Sequence, residues 1–170
     1  MKKLFSLFAL ALVLGFSSCI EQNYPVWEGH VVEFQDAVDR SPLSGQVYPR
    51  ITVANTVGTV NLRVNLVGAH RPSDEIITYN IAAGGTTAVA GRDYVAPGTL
   101  TIPAGSSFGT LTVNVLNTGR IGGSVDLLLQ LVGNDEIGNS ANYNKVQIRI
   151  SVNSSIKDRI YPVFFFYFGS

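Results

Sequence analysis

Apolar residues recur at every second position in run after run of this chain, and that period of two most limits what it can fold into. Thr99–Ile102 and 110–115 alternate polar and apolar residues, the pattern of a strand with one buried face. Val60, Leu62, Val64 and Leu66 stand on one side of the run 60–66, with Asn61, Arg63 and Asn65 on the other. Ile77, Tyr79 and Ile81 align in 75–82, and Val125, Leu127, Leu129 and Leu131 in 125–132. In 143–152, Val146, Ile148, Ile150 and Val152 point in, while Gln147, Arg149 and Ser151 point out. Leu128 and Val132 fall on the opposite face of 125–132, so that strand is expected to be covered on both sides. Short runs at 30–34 and 51–53 complete the series, and 36–45 and 133–144 read as loops. No segment between Tyr24 and Ser170 sustains the 3.6-residue period of a helix. Turn signals such as Gly91, Pro97-Gly98 and Pro103-Ala104-Gly105 return about every ten residues, as an all-β sandwich requires. Polar outward positions suit antiparallel sheets with one wet face. The expected fold is an antiparallel β-sandwich of about eight or nine strands. Its expected core holds Phe34, Leu62, Val64, Leu66, Ile77, Leu100, Ile102, Leu111, Val113, Leu127, Leu129, Ile148 and Ile150.

The two ends differ from this body. Lys2 and Lys3 precede an apolar run, 4–14, and Gly15-Phe16-Ser17-Ser18-Cys19 follows. A charged start, a short apolar stretch and small residues before a cleavage point make a secretory signal. The run is too short to span a bilayer, which takes about 20 apolar residues. The junction resembles a bacterial lipobox, whose Cys is lipidated and becomes residue one of the mature chain; Phe16 departs from the aliphatic residue usual in that motif. The expected organisation is a signal peptide over 1–18, lipidation at Cys19, a polar tether over 19–29, a sandwich over 30–152 and an apolar arm over 153–170. The mature chain has 170 − 18 = 152 residues, enough for one domain with its own core. Cys19 is its only cysteine, so no disulfide framework supports it. A lipid there contributes roughly 0.8 kcal/mol per buried CH₂ and places the chain in the cell envelope at the outer membrane, with the periplasmic and surface faces both open. The tail 160–168 is nearly all apolar and does not alternate. It suits an edge strand or arm, where Pro162 costs no ladder bond, or a docking segment for a partner or a membrane.

Formal net charge is zero and only 14% of residues are charged, so no basic surface argues for nucleic acid. His30 and His70 lie on separate segments without a Cys or carboxylate at ligand spacing, which argues against zinc. Gly84-Gly85-Thr86-Thr87 lacks the Lys and helix of a phosphate loop. A hydrolase acting on polysaccharide needs two facing carboxylates. The acids between Ala82 and Lys157 are Asp93, Asp126, Asp135 and Glu136, and Asp126 points outward from a strand. Tyr24, Trp27, Tyr48 and Tyr143 stand in or beside loops, where aromatic rings stack on sugars or anchor the loop.

The residues Ala90-Gly91-Arg92-Asp93-Tyr94, then 98–105 (Gly-Thr-Leu-Thr-Ile-Pro-Ala-Gly), then 109–113 (Gly-Thr-Leu-Thr-Val) resemble the Calx-beta domain and related domains of lipoproteins in the Bacteroidetes. The matching region is about a quarter of the mature chain. The resemblance implies an immunoglobulin-like sandwich, and it implies calcium held by loop carboxylates at one end. Asp93 matches the motif's Asp. The acid-rich segment that normally follows is here 117–124, which has no carboxylate and contains Arg120. Calcium wants six to eight oxygens, several of them carboxylates. Asp135 and Glu136 could join Asp93 only if their loop reaches the same end. Without that, Asp93 is a turn residue accepting from nearby backbone N–H groups, and Tyr94 is core packing. The expected function is a non-catalytic envelope module that binds or positions a protein or glycan, with no cofactor. A calcium-binding adhesion module and, behind it, a polysaccharide hydrolase are the alternatives.

Overall fold

The computed structural model describes residues 29–42, 44–117 and 122–151. The expected signal peptide, Cys19, most of the expected tether, Arg120, Val152 and the apolar tail lie outside the described residues.

Among the described residues, ten strands form two five-stranded sheets. In chain order they are β1 (Val31–Phe34), β2 (Arg50–Ala54), β3 (Thr59–Val67), β4 (Glu75–Ile81), β5 (Tyr94–Val95), β6 (Thr99–Ile102), β7 (Phe108–Val115), β8 (Ser124–Gly133), β9 (Gly138–Asn139) and β10 (Lys145–Ser151). The first sheet has the order β5-β7-β3-β1-β9 and the second β2-β10-β8-β4-β6. Odd strands are thus in one layer and even strands in the other. Every connection crosses between sheets, and no two consecutive strands pair.

The expected sandwich is present, with differences of detail. β5 and β9 are two-residue strands, too short to show a period of two. Two pairings are parallel rather than antiparallel: β1 with β9 and β10 with β2. The segment expected as a loop at 36–45 begins with a single helical turn, α1 (Gln35–Asp39). Side-chain pairs four residues apart hold it: Gln35 Nε2 donates to Asp39 Oδ1 at 2.8 Å, and Arg40 Nε to Asp36 Oδ1 at 2.8 Å. The loop expected at 133–144 contains β9 and the fully buried Ile137.

The core forms where the alternation places it. All thirteen expected core residues are buried. Gly109 stands among them because a Cβ there would lie 2.5 Å from the Thr101 carbonyl oxygen, so the close approach of β7 to β6 admits only glycine. Leu128 is buried on the opposite face, as expected, but Val132 is exposed. The difference lies in what covers them. After β4 ends, residues 82–88 continue along the edge of β8, and the 3-10 turn Ala83–Gly85 folds over Leu128. Gln147, expected outside, is buried beneath the same turn. Its Nε2 donates to the Gly85 carbonyl at 2.8 Å, and its Oε1 accepts from Arg50 Nε at 2.6 Å.

Threonine hydroxyls replace strand groups along this edge. Thr86 Oγ1 accepts from the Leu128 N–H and Thr87 Oγ1 from the Asp126 N–H, each at 2.9 Å. The Ala82 N–H bonds the Leu128 carbonyl, and the Thr87 and Ala88 N–H groups bond the Asp126 carbonyl. Two substitutions test this construction by urea unfolding. Leu129→Asp buries an unpaired charge and is expected to leave no cooperative transition. Thr86→Val strands the Leu128 N–H and is expected to cost about 1–3 kcal/mol, while Thr86→Ser costs less. Equal stability of the Val and Ser variants would show that the hydroxyl does not complete the strand edge.

Candidate functional site

Asp93 is buried, with 2% exposure. Its Oδ2 accepts from the Val89 N–H at 2.8 Å and from Arg92 Nη2 at 2.6 Å. It therefore closes the turn leading into β5, the structural role expected of it. The neighbouring Tyr94 is a core residue, and burial pushes its phenol pKa up.

Asp135 and Glu136 lie elsewhere. Asp93 bonds Val89, and the adjacent residues 87 and 88 bond Asp126 near the start of β8. Residues 134–136 follow directly after the end of β8 at Gly133. At about 3.4 Å per residue, some 25 Å of strand separates these sites. Asn134 Oδ1 shapes the second loop by accepting from the Glu136 and Ile137 N–H groups. Gly133 has φ of +100° there, and a Cβ would meet the Ile137 carbonyl oxygen. Glu136 pairs with Arg71, which also donates to Glu75 Oε1 at 2.9 Å. That hydrogen bond holds the Glu75 carboxyl below the usual range. Asp135 is exposed.

The three carboxylates named for calcium are thus not brought together. The described residues contain no group of three or more His, Cys, Asp or Glu side chains placed to hold a metal. Asp93 already has a guanidinium and an amide on its oxygens, so this set does not fit the ion. The expected consequence is an unchanged melting temperature between chelator and about 1 mM calcium, a level set against weak extracellular sites. A calcium-dependent rise in melting temperature that Asp93→Asn abolishes would contradict it.

The remaining acid, Asp126, points outward and is engaged by Arg149. Nε and Nη2 donate to its two oxygens, each at 2.8 Å. This pairing, reinforced by the charge of Arg50, holds the Asp126 carboxyl below the usual range. Both oxygens of Asp126 are thus occupied by one guanidinium. The spacing Gly105-x-Ser107-x-Gly109 also occurs in the chain. The structure places it at the strand-to-strand corner between β6 and β7, whereas a nucleophile elbow is a strand-to-helix turn. The Ser107 hydroxyl makes no hydrogen bond to a histidine among the described residues.

Among the described residues, the larger clefts lie on the side where two connections, β1 to β2 and β9 to β10, pass between the sheets, and a smaller one of about 200 Å³ is lined by Glu75, Asn134, Asp135 and Glu136. Two adjoining clefts of about 250 and 420 Å³ share Pro42, Val47, Asn142 and Tyr143 in their walls. Arg40 lines the first and Lys145 the second. Val47 and Tyr143 are exposed, at 76% and 41%. The backbone beneath Tyr143 is fixed: its carbonyl accepts from the Phe34 N–H at 2.9 Å, and the Asn144 carbonyl accepts from the Leu131 N–H at 2.9 Å. Asn144 Nδ2 donates to Asn139 Oδ1 at 2.7 Å. The cleft thus presents an aromatic ring on a rigid frame. Of the aromatics singled out in the sequence, Tyr143 lies here. Tyr48 is half-buried with its hydroxyl against Gly85, and Tyr24 and Trp27 are outside the described residues. The cleft was not readable from the sequence, because its two walls are about a hundred residues apart.

No family model matches the chain, and no curated protein matches it in sequence. Solved structures do. The CBD2 domain of Calx superposes with a TM-score of 0.55 at 14% identity, over 75% of this chain and 90% of that one. The CBD12 structure of CALX1.2 gives 0.54 at 17% identity, over 71% of this chain and 44% of that one. The fold is that of the Calx-beta domains. This chain therefore spans less than half the length of the CBD12 structure. A "putative carbohydrate binding protein" from Bacteroides ovatus ATCC 8483 gives 0.50 at 13% identity, over 72% of this chain and 37% of that one.

Proposed function

We propose that this chain is a non-catalytic binding module of the cell envelope, anchored by lipid on Cys19, whose Tyr143 cleft takes a glycan. The observation that carries the reading is the cleft itself. An exposed ring on a pinned backbone stands among the amides of Asn142 and Asn144, the combination that stacks on a sugar face and bonds its hydroxyls. Asp39 is the one carboxylate in the described lining, and its Oδ1 accepts from Gln35. Glycoside hydrolysis needs two, so the cleft is equipped to hold a sugar and not to cleave it. The Bacteroides ovatus structure shares the sandwich, although a fold does not fix a ligand. Proteins are the other class of partner for such a module.

A glycan array with the mature protein, followed by titration of the strongest binder, tests this reading. Tyr143→Ala is expected to weaken binding at least tenfold, about 1.4 kcal/mol, with little change in melting temperature because the ring is exposed. Hydrolysis products from the bound glycan, or full affinity in the Tyr143→Ala variant, would contradict it. Enrichment of one envelope protein with no glycan bound would replace glycan with protein as the partner. For the anchor, Cys19→Ala is expected to move the protein from the membrane fraction to the soluble fraction; unchanged fractionation would contradict lipidation.

A further inference from the structure

We infer that the glycan is anionic, and that the Lys145 ammonium receives its carboxylate or sulfate. This rests on the reading of the Tyr143 cleft as a glycan site.

Lys145 opens β10, opposite Gln130 of β8, and lines the larger cleft two residues beyond Tyr143. It is half-buried. Among the described residues it has no ion-pair or hydrogen-bond partner. The other cations of the described residues are engaged. Arg40 pairs with Asp36, Arg71 with Glu75 and Glu136, Arg92 with Asp93, and Arg149 with Asp126. Arg50 bonds Gln147, and Arg63 lies 4.1 Å over the Phe108 ring. A lysine whose stem is half-buried at a cleft wall, with no counter-ion on its head, presents a free cation to whatever occupies the cleft.

Charge in the larger cleft supports the same conclusion: Lys145 is the one charged residue of its described lining, and Arg40 in the adjoining cleft is paired with Asp36. A sugar ring stacked on Tyr143 would carry its acidic substituent toward Lys145. An ammonium contact to such a group is a charge-assisted hydrogen bond, stronger than a bond between neutral partners.

The test compares trigalacturonic acid, its methyl ester and a sulfated disaccharide by calorimetric titration. The proteins are the mature wild-type chain and its Lys145→Gln, Lys145→Arg and Tyr143→Ala variants. On the wild type, at least one acidic probe is expected to bind about tenfold more tightly than the neutral ester, with affinity falling as salt rises. Lys145→Gln is expected to remove that preference while neutral-sugar binding persists, and Lys145→Arg to retain most of it. The two acidic probes separate carboxylate from sulfate. Equal binding of acid and ester by the wild type overturns this inference but leaves glycan binding standing, as does a preference that survives in Lys145→Gln. Binding of none of the three probes overturns this inference, and affinity untouched by Tyr143→Ala overturns the glycan reading as well.

Discussion

Strand β8 is enclosed on four sides at Leu128. Leu127, Leu129 and Leu131 face the opposite sheet, and Leu128 on the other face is covered by the turn Ala83–Gly85. One edge pairs with β10 along its length, and the other with β4 and then with residues 82–88. Because consecutive strands never pair, each sheet is assembled from segments distant in sequence. β8 is the strand against which the even sheet aligns, and the odd sheet packs on its inner leucines. The cost of this topology is kinetic: its contacts are non-local, and such folds form slowly because loop closure precedes the contacts that reward it.

The sequence showed which residues turn inward and where the chain changes direction. It did so because a period of two is local: Leu62 and Val64, or Leu127 and Leu129, announce their face without reference to any other strand. Pairing is not local. Nothing in 50–54 declares that it runs parallel to β10, nor in 138–139 that it runs parallel to β1. Gln147 shows the limit most clearly. Its position in the alternation assigns it to solvent, and a turn sixty residues away buries it and supplies its acceptor. Short elements escaped for another reason, since α1 and β9 are too short for their pattern to repeat twice.

The candidate site divides in the same way. Asp93 was legible as a turn residue from its place between Gly91 and Tyr94. Its relation to Asp135 and Glu136 depended on which end of the sandwich each loop reaches, and the structure puts them at opposite ends. The cleft around Tyr143 depends on two crossings between sheets that share one side of the molecule. Its aromatic ring was visible in the sequence, whereas its companions Val47, Arg40 and Lys145 were not. The ring and the cation are held by a backbone tied to Phe34 and Leu131, so the binding surface draws its rigidity from the strands beneath it. Preorganisation of that kind lowers the ordering cost of binding.

The dependence of the whole structure on β8 is measured most directly by native-state hydrogen exchange in low denaturant. The amides of Leu127, Leu129 and Leu131 are expected to exchange only through global unfolding, with a free energy equal to that from urea unfolding, while β2 and β9 at the sheet edges open at lower free energy. Exchange of the β8 amides through an opening cheaper than that of β2 or β9 would contradict the account.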